Sequence, residues 1–301
     1  MVVHKEIIHR NLKIYYMNNR TQWLQIFADV VKNGKEYAPR GFKTLELENY
    51  MFYIHPLNRF CSFEERKLSI KYLVAELAWY CKANPNDLMM ESYSSFWVTL
   101  KNEREPFYHS NYGEYIFGEM QFEHVVRTLI KDKDSRQACI IINRPNVMMS
   151  DTKDKICTYA MNFRIRDNKL NMSVTMRSND LILGTTIDVF QFSVVYEMIY
   201  VMLKDFYTDL EIGIYNHKAD SFHVYERHFE MIRKIFNNNW HAQTNTYKDI
   251  DCPRISCPNE VKFLIKNLPE YEEVIRTKQT KLLEQAPEEY KFFRWCIKAL
   301  E

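Results

Sequence analysis

From Tyr159 onward the apolar side chains fall on every second residue: Tyr159, Met161, Phe163 and Ile165. The pattern pauses at Asp167-Asn168-Lys169 and resumes at Leu170, Met172, Val174 and Met176. A period of two interrupted by turn residues predicts two strands joined tightly, each with one buried face. The opposite face carries Asn162, Arg164, Asn171, Ser173, Thr175 and Arg177. Cys157 stands at one end of this hairpin, and Arg177-Ser178-Asn179-Asp180, expected to form a turn, stands at the other.

Upstream, Trp23, Leu24, Phe27, Val30 and Val31 have helical spacing that stops at Asn33-Gly34, a good terminus. A basic turn, Arg40-Gly41-Phe42-Lys43-Thr44, feeds a strand through Leu45 and Leu47 and, after a break, Tyr50, Phe52 and Ile54. Ser62 with Glu65 has capping-box spacing and predicts a helix running towards Cys81, ended by Asn84-Pro85. Residues 85–116 predict short helices and loops, 117–131 a helix, 138–142 a buried strand and 143–154 a loop. Residues 189–203 are apolar almost all round, the mark of a core helix. A strand over 210–216 follows, then His223 to His228 at the entrance to another helix. After Trp240 come an irregular linker around Cys252 and Cys257 and charged helical stretches. The expected organisation is an N-terminal extension (1–18), a main α+β domain (19–239) and a C-terminal helical extension (240–301).

Composition narrows the function classes. Forty-six per cent hydrophobic residues over 301 positions are enough for one large core. A formal charge of +2, from 41 basic and 39 acidic residues, supplies no long-range field for nucleic acid, so no nucleic-acid partner is expected. Met1 to Arg10 shows no signal-peptide pattern, and an odd count of seven cysteines suits reduced thiols in the cytoplasm. No run reaches about 18 uninterrupted apolar residues, so no membrane association is expected. The spacing of Cys252 and Cys257 matches no zinc pair, and no metal is expected.

Single residues remain ambiguous on their own. Glu76, among Val74, Leu77, Trp79 and Tyr80, is either exposed on a polar face or buried and functional. A lone Cys157 is ordinarily a small buried hydrophobe. Asp188 suits the cap of a helix beginning at Val189, and His223 suits a satisfied structural histidine.

The order of motifs resolves these ambiguities. Arg40, Glu76-Leu-Ala-Trp79, Phe96-Trp97, Tyr112-Gly113, Ser135-Arg136, Cys157, Arg177-Ser178-Asn179-Asp180, Leu183-Gly184 with Asp188, and His223-Val224-Tyr225 follow one another. This series, over about Trp23 to Phe236, resembles the thymidylate synthase superfamily. Asp188 in place of asparagine eleven residues after Arg177, Thr158 after the cysteine, and Ser110-Asn111-Tyr112-Gly113 resemble its phage deoxycytidylate hydroxymethylase branch. Gln137 and Asn162 depart from the family, which has arginine and glutamine there.

The resemblance implies a large mixed β-sheet flanked by helices and an enzyme that hydroxymethylates carbon 5 of dCMP or CMP. Its co-substrate would be 5,10-methylenetetrahydrofolate, with water as the final nucleophile. Cys157 would be the nucleophile, with Glu76 and Tyr112 managing protons. Asp188 would read the base, because a carboxylate accepts from the cytosine amine and protonated ring nitrogen, whereas asparagine suits the uracil imide. Arg40, Arg177, Ser178 and Arg136 would bind phosphate, Arg136 from the partner subunit of a homodimer. Asn162 would touch the base, His223 and Tyr225 the sugar, and Trp97, Asp180 and Glu76 the folate. Alternatives are a dUMP-using synthase or hydroxymethylase and a non-catalytic nucleotide-binding protein.

Overall fold

The computed structural model describes residues 18–101, 107–240 and 245–301; all of the expected N-terminal extension before residue 18 lies outside the described residues. In chain order the elements are α1 (Asn19–Asn33), β1 (Lys35–Tyr37), β2 (Thr44–Ile54), α2 (Ile70–Lys82), the short α3 (Phe96–Leu100), α4 (Gln121–Lys131), β3 (Cys139–Ile141) and the short α5 (Pro145–Met149). They continue with β4 (Thr158–Arg166), β5 (Lys169–Asp180), α6 (Gly184–Lys204), β6 (Glu211–Tyr225), α7 (Phe229–Asn239), α8 (Pro258–Thr277) and α9 (Lys291–Leu300). Among the described residues the strands form a six-stranded sheet in the order β1-β2-β6-β5-β4-β3. β1 with β2, β2 with β6 and β3 with β4 pair antiparallel. Hydrogen bonds from Glu211 to Asn168, Ile214 to Asn171 and Leu181 to His223 advance along β5 and β6 together, so these two run parallel, joined through α6. The fold is α+β with a mixed sheet, as expected.

The hairpin forms for the reason its sequence suggests. Asp167 and Asn168 both adopt left-handed φ, 51° and 57°, the pair of dihedrals a two-residue turn needs to match strand twist. Met161, Phe163, Ile165, Leu170, Met172, Val174 and Met176 are all buried, each contributing roughly 1.5–3 kcal/mol. Tyr159 departs from the alternation and is 39% exposed. The N–H groups of both Ile142 and Asn143 donate to its carbonyl, so a bulge in the chain after β3 lies opposite Tyr159. In β2 the apolar phase changes from Leu45 and Leu47 to Tyr50, Phe52 and Ile54 across Asn49, whose φ is 52°.

The chain divides into two compact units. One comprises the described parts of Met1–Leu68, Asn171–Ser193 and Ile212–Ile250. Here α1 packs on β2, Tyr50 stacks on Phe222 at 4.9 Å, and Phe52 stacks on His217 at 4.9 Å. Trp23, Leu24, Phe27 and Val30 of α1 are buried as expected, whereas Val31 faces outward. The expected capping box at Ser62 does not form. The Ser62 hydroxyl binds the Lys248 carbonyl, and Glu65 accepts from Asn238 and Thr246.

The other unit comprises the described parts of Ser69–Leu170, Val194–Glu211 and Asp251–Glu301. Its helix α2 is capped by Ser69, whose hydroxyl accepts from the Tyr72 N–H at 3.1 Å. Residues Leu73 to Cys81 are all buried, because α8 and α9 from the C-terminal segment pack against α2 and against each other. Buried Glu260 ties that layer together, accepting from Ser256 N–H at the start of α8 and from Phe293 N–H in the first turn of α9 at 3.1 Å. The strand expected over 138–142 is an edge strand, with Ile140 buried and Ile141 52% exposed. Helix α4 begins at Gln121, after a π-helical turn over Glu114–Gly118, rather than at Phe117.

Helix α6 has the length and hydropathy of a membrane span, with 78% of its most apolar window buried inside the fold. Every residue from Val189 to Ile199 is buried, and the carboxylate of Glu197 is satisfied by Arg254 at 3.2 Å.

The turn makes a stability prediction. A β-branched residue is strained at left-handed φ, so Asp167→Val lowers stability by about 1–2 kcal/mol while Asp167→Gly stays within about 0.5 kcal/mol of the parent. Equilibrium denaturation measures both; equal stabilities would show that the turn does not fix the hairpin.

Candidate active site

Each unit carries its own cluster of chemistry-bearing side chains. In the unit that contains α2, Glu76 is 6% exposed, which decides between its two readings in favour of burial: the helical layer of α8 and α9 packs over α2. The segment Ser110 to Gly113 is fastened to the C-terminal end of this helix. Asn111 Nδ2 donates to the carbonyls of Trp79 at 3.3 Å and Asn84 at 3.1 Å, satisfying acceptors that a helix end leaves open. A Cβ at Gly113 would lie 1.8 Å from the Tyr80 carbonyl oxygen, so only glycine permits this approach. Buried Asp154 anchors the other side, accepting from both the N–H and the hydroxyl of Ser110.

That clamp brings Tyr112 to the nucleophile candidate. The Cys157 N–H donates to the Tyr112 hydroxyl at 3.4 Å, and Cys157 Sγ lies 3.6 Å from the Lys155 carbonyl. None of the seven cysteines forms a disulfide. Burial pushes the Cys61 thiol up to about 12 and raises Cys81 as well, whereas Cys157 keeps part of its surface open. Asn162 is half-buried on β4, opposite Cys139. Ser135 is buried while Arg136 and Gln137 are exposed, Arg136 having no hydrogen bond or ion pair among the described residues. Trp97 is 5% exposed, edge-on to Trp79 at 5.0 Å and Tyr108 at 5.2 Å, and its indole N–H donates to Tyr72. Its ring face is therefore largely covered, whereas neighbouring Phe96 is 56% exposed. A cavity of about 450 Å³ lined by His109, Glu114, Tyr115 and Arg144 contains none of these candidates.

In the unit that contains β2, Arg40 is exposed and held at φ 56°, a backbone conformation that non-glycine residues keep only when surroundings impose it. Arg177, Ser178 and Asp180 lie on the last residues of β5 rather than in a turn, and Arg177 and Ser178 are half-buried. Asp180 Oδ1 accepts from the N–H groups of Ile182 and Leu183, turning the chain into α6, while its Oδ2 is buried without a partner among the described residues. His223 and Tyr225 belong to β6, which runs nine residues past the expected strand end at 216, and not to a helix entrance. His223 is 7% exposed and edge-on to Tyr225 at 5.1 Å, and its Nδ1 is 3.4 Å from the Ser221 hydroxyl.

Asp188 lies inside α6, which begins at Gly184, so it is not the helix cap. The apolar period misses this start because Thr185 and Thr186 turn inward, Thr185 bonding the Asn179 side chain at 2.6 Å and Thr186 the Ile182 carbonyl at 2.8 Å. Asp188 Oδ2 accepts from Asn179 Nδ2 at 2.7 Å. Burial raises the Asp188 carboxyl to about 7, and the hydrogen bond from Asn179 pulls in the opposite direction. A Cβ at Gly184 would come within 2.9 Å of Asn179 Nδ2, so the glycine of Leu183-Gly184 leaves room for this contact. Asn179 Oδ1 in turn faces His217 Nε2 at 3.0 Å, and His217 Nδ1 is 2.7 Å from the Tyr215 hydroxyl. Sequence reasoning passed over Asn179, His217, Tyr215 and Asp154. The available signal was weak: polar residues at alternate positions of a strand with an apolar inner face.

Among the described residues there is no group of three His, Cys, Asp or Glu side chains placed to hold a metal.

Comparison with known proteins places the geometry in context. The family model for thymidylate synthase matches residues 21–253. A deoxyuridylate hydroxymethyltransferase of Bacillus phage SP01 is 28% identical over 239 residues, covering 72% of this chain and 61% of that protein. A deoxycytidylate 5-hydroxymethyltransferase of Enterobacteria phage T4 is 29% identical over 185 residues, covering 55% and 71%. A deoxyuridylate hydroxymethyltransferase of Delftia phage PhiW-14 is 26% identical over 212 residues, covering 64% and 56%.

The environment of Asp188 is open to direct measurement. Carboxyl-carbon NMR of the free protein, assigned by comparison with Asp188→Asn, shows one resonance titrating near pH 7. A titration in the ordinary aspartate range would show that water reaches the carboxyl.

Proposed function

Because the chain belongs to the thymidylate synthase family, we propose that it hydroxymethylates carbon 5 of a cytidylate, consuming 5,10-methylenetetrahydrofolate and water and releasing tetrahydrofolate. Relatives named for deoxyuridylate and for deoxycytidylate both support hydroxymethyl transfer and leave the base to be argued from the residues. The observation that carries the base is the carboxyl of Asp188, half-buried and held by the Asn179 amide. Cytosine binds such a group through its exocyclic amine and ring nitrogen 3, with one proton shared between the ring nitrogen and the carboxyl. A carboxyl raised to about 7 brings that proton with it at neutral pH, when free cytosine carries none.

Cys157 would add to ring carbon 6 as a thiolate, making carbon 5 an enamine able to attack the one-carbon unit, and would leave once water has completed the hydroxymethyl group. Of the half-buried cysteines, it is the one whose backbone N–H meets the Tyr112 hydroxyl, and Tyr112 and Glu76 would handle protons at carbon 5. The co-substrate supplies the one-carbon unit. Asp180 fits it, because a buried carboxylate oxygen without a partner suits the N–H donors of a pterin. Trp97 offers little ring face for stacking, so its contribution would be to shape the wall around exposed Phe96. Arg40, Arg177, Ser178 and, from a partner subunit, exposed Arg136 would bind the phosphate, Asn162 the base, and His223 and Tyr225 the sugar. The protein would act as a homodimer in the cytoplasm, where nucleotides and reduced folates are found.

A second reading, uridylate as substrate, rests on the same carboxyl. In its protonated form it offers a donor and an acceptor together, the pattern the uracil imide requires.

The productive cytidylate complex contains one shared proton, and above the pKa of Asp188 the free protein has lost it. The kcat/KM for cytidylate therefore falls above about pH 7, by up to tenfold per pH unit. Asp188→Asn prefers uridylate and lacks this alkaline limb; unchanged preference in that variant would remove Asp188 as the base reader. Mixing inactive Cys157→Ser with Arg136→Ala protomers, with subunit exchange verified, restores activity to the heterodimer. No recovery would place Arg136 within its own chain's site.

A further inference from the structure

The side chains behind Asp188 form a hydrogen-bonded chain, Tyr215 to His217 to Asn179 to Asp188, with contacts of 2.7, 3.0 and 2.7 Å. Each link admits two directions. With Asp188 ionised, the carboxylate only accepts, so Asn179 turns its amide nitrogen to it and its carbonyl to His217. His217 then carries its hydrogen on Nε2, leaving Nδ1 to accept from the Tyr215 hydroxyl. With Asp188 protonated the chain can reverse: the acid donates to the Asn179 carbonyl, the amide nitrogen donates to His217 Nε2, and His217 Nδ1–H donates to the Tyr215 oxygen. Thr185 does not choose between them, since a hydroxyl donates or accepts and its second contact, the Asp180 carbonyl at 2.9 Å, can take its hydrogen.

Tyr215 does choose. Its side chain is fully buried, and among the described residues its hydroxyl has no hydrogen-bond partner other than His217. In the forward direction the phenolic hydrogen is used. In the reverse direction it is stranded in the core, a penalty that a buried unpaired donor always carries. We propose that Tyr215 and His217 are positioning residues that set the proton affinity of Asp188: acting through the Asn179 amide, they bias it towards the carboxylate that receives a protonated cytosine. The inference rests on the reading that Asp188 contacts the base.

The surrounding titratable groups leave this bias legible. His217, stacked on Phe52, is driven down to about 3 by burial, so it relays as a neutral ring. Tyr215 is pushed well up by burial and then by the charge of Asp188. Asp180 lies at the adjoining end of β5, and Arg66 donates to the Ile182 carbonyl and the Thr186 hydroxyl in the first turn of α6.

The test uses Tyr215→Phe, which deletes one oxygen and keeps the ring, with His217→Phe and His217→Gln beside it. In each full-length variant the Asp188 titration is followed by NMR, and kcat/KM is measured against pH for cytidylate and uridylate. With the phenol gone the two directions are nearly balanced. The Asp188 titration and the alkaline limb for cytidylate then move up by about one pH unit. His217→Phe breaks the chain outright and moves both in the same direction. His217→Gln, whose amide can donate to Asn179 and accept from Tyr215, restores them towards the parent. An unmoved titration and alkaline limb in folded Tyr215→Phe, with Asp188→Asn still switching preference, overturns the relay and leaves the base reader standing. Unchanged preference in Asp188→Asn overturns the reader and the inference together.

Discussion

The hydrogen bond from Asn179 to Asp188 joins the end of a central strand to the opening turns of the most deeply buried helix. Asn179 is buried and Asp188 is half-buried, so each needs a partner, and a buried polar group left without one costs about 1–3 kcal/mol. Meeting that need dictates local sequence. Gly184 is there because any side chain would displace the amide. Thr185 is turned inward to bond that amide, while Thr186 bonds the Ile182 carbonyl, and Asp180 folds back to hold the turn through Ile182 and Leu183. An aspartate in the second turn of a largely apolar helix would otherwise be a defect; here it is held by the turn that precedes it.

The other unit solves a comparable problem with different means. A buried glutamate on α2, a tyrosine on an irregular segment and a cysteine before an edge-proximal strand share no regular element. Close backbone approach at Gly113, helix-end capping by Asn111 and the Asp154 clamp on Ser110 hold the segment bearing Tyr112 in place. Rigidity of this kind would suit the nucleophile proposed at Cys157, which must meet a flat ring at one carbon atom. The C-terminal helices contribute by closing over α2, which removes Glu76 from solvent without touching it through any regular pattern visible in the sequence.

The sequence disclosed elements wherever one face alternated. The hairpin was legible because apolar side chains keep a period of two around Asp167 and Asn168, and its lapse, Tyr159, lies opposite a bulge in the neighbouring chain that the period does not reveal. The beginning of α6 was not legible, because polar threonines that serve buried partners look like loop residues to a hydrophobic period. Strand β6 was cut short for the same reason: His217, Lys218 and Asp220 read as polar, yet His217 is fully buried. Ser62 and Glu65 had the right spacing for a cap and spend their side chains on residues 186 and 173 positions away. The order of motifs, in contrast, survived all these errors of boundary, since it depends on residue identity and not on where an element starts. Asn179 lay inside one of those motifs, and its importance emerged only from the contacts on either side of it.

The most direct measurement offers the protein dCMP, CMP, dUMP and UMP in turn with 5,10-methylenetetrahydrofolate, weighing each product by mass spectrometry while the folate absorbance is followed. A cytidylate is consumed, its product gains one carbon, one oxygen and two hydrogens, and no dihydrofolate absorbance develops. Preference for a uridylate, or dihydrofolate formed in step with turnover, would contradict hydroxymethyl transfer to cytosine.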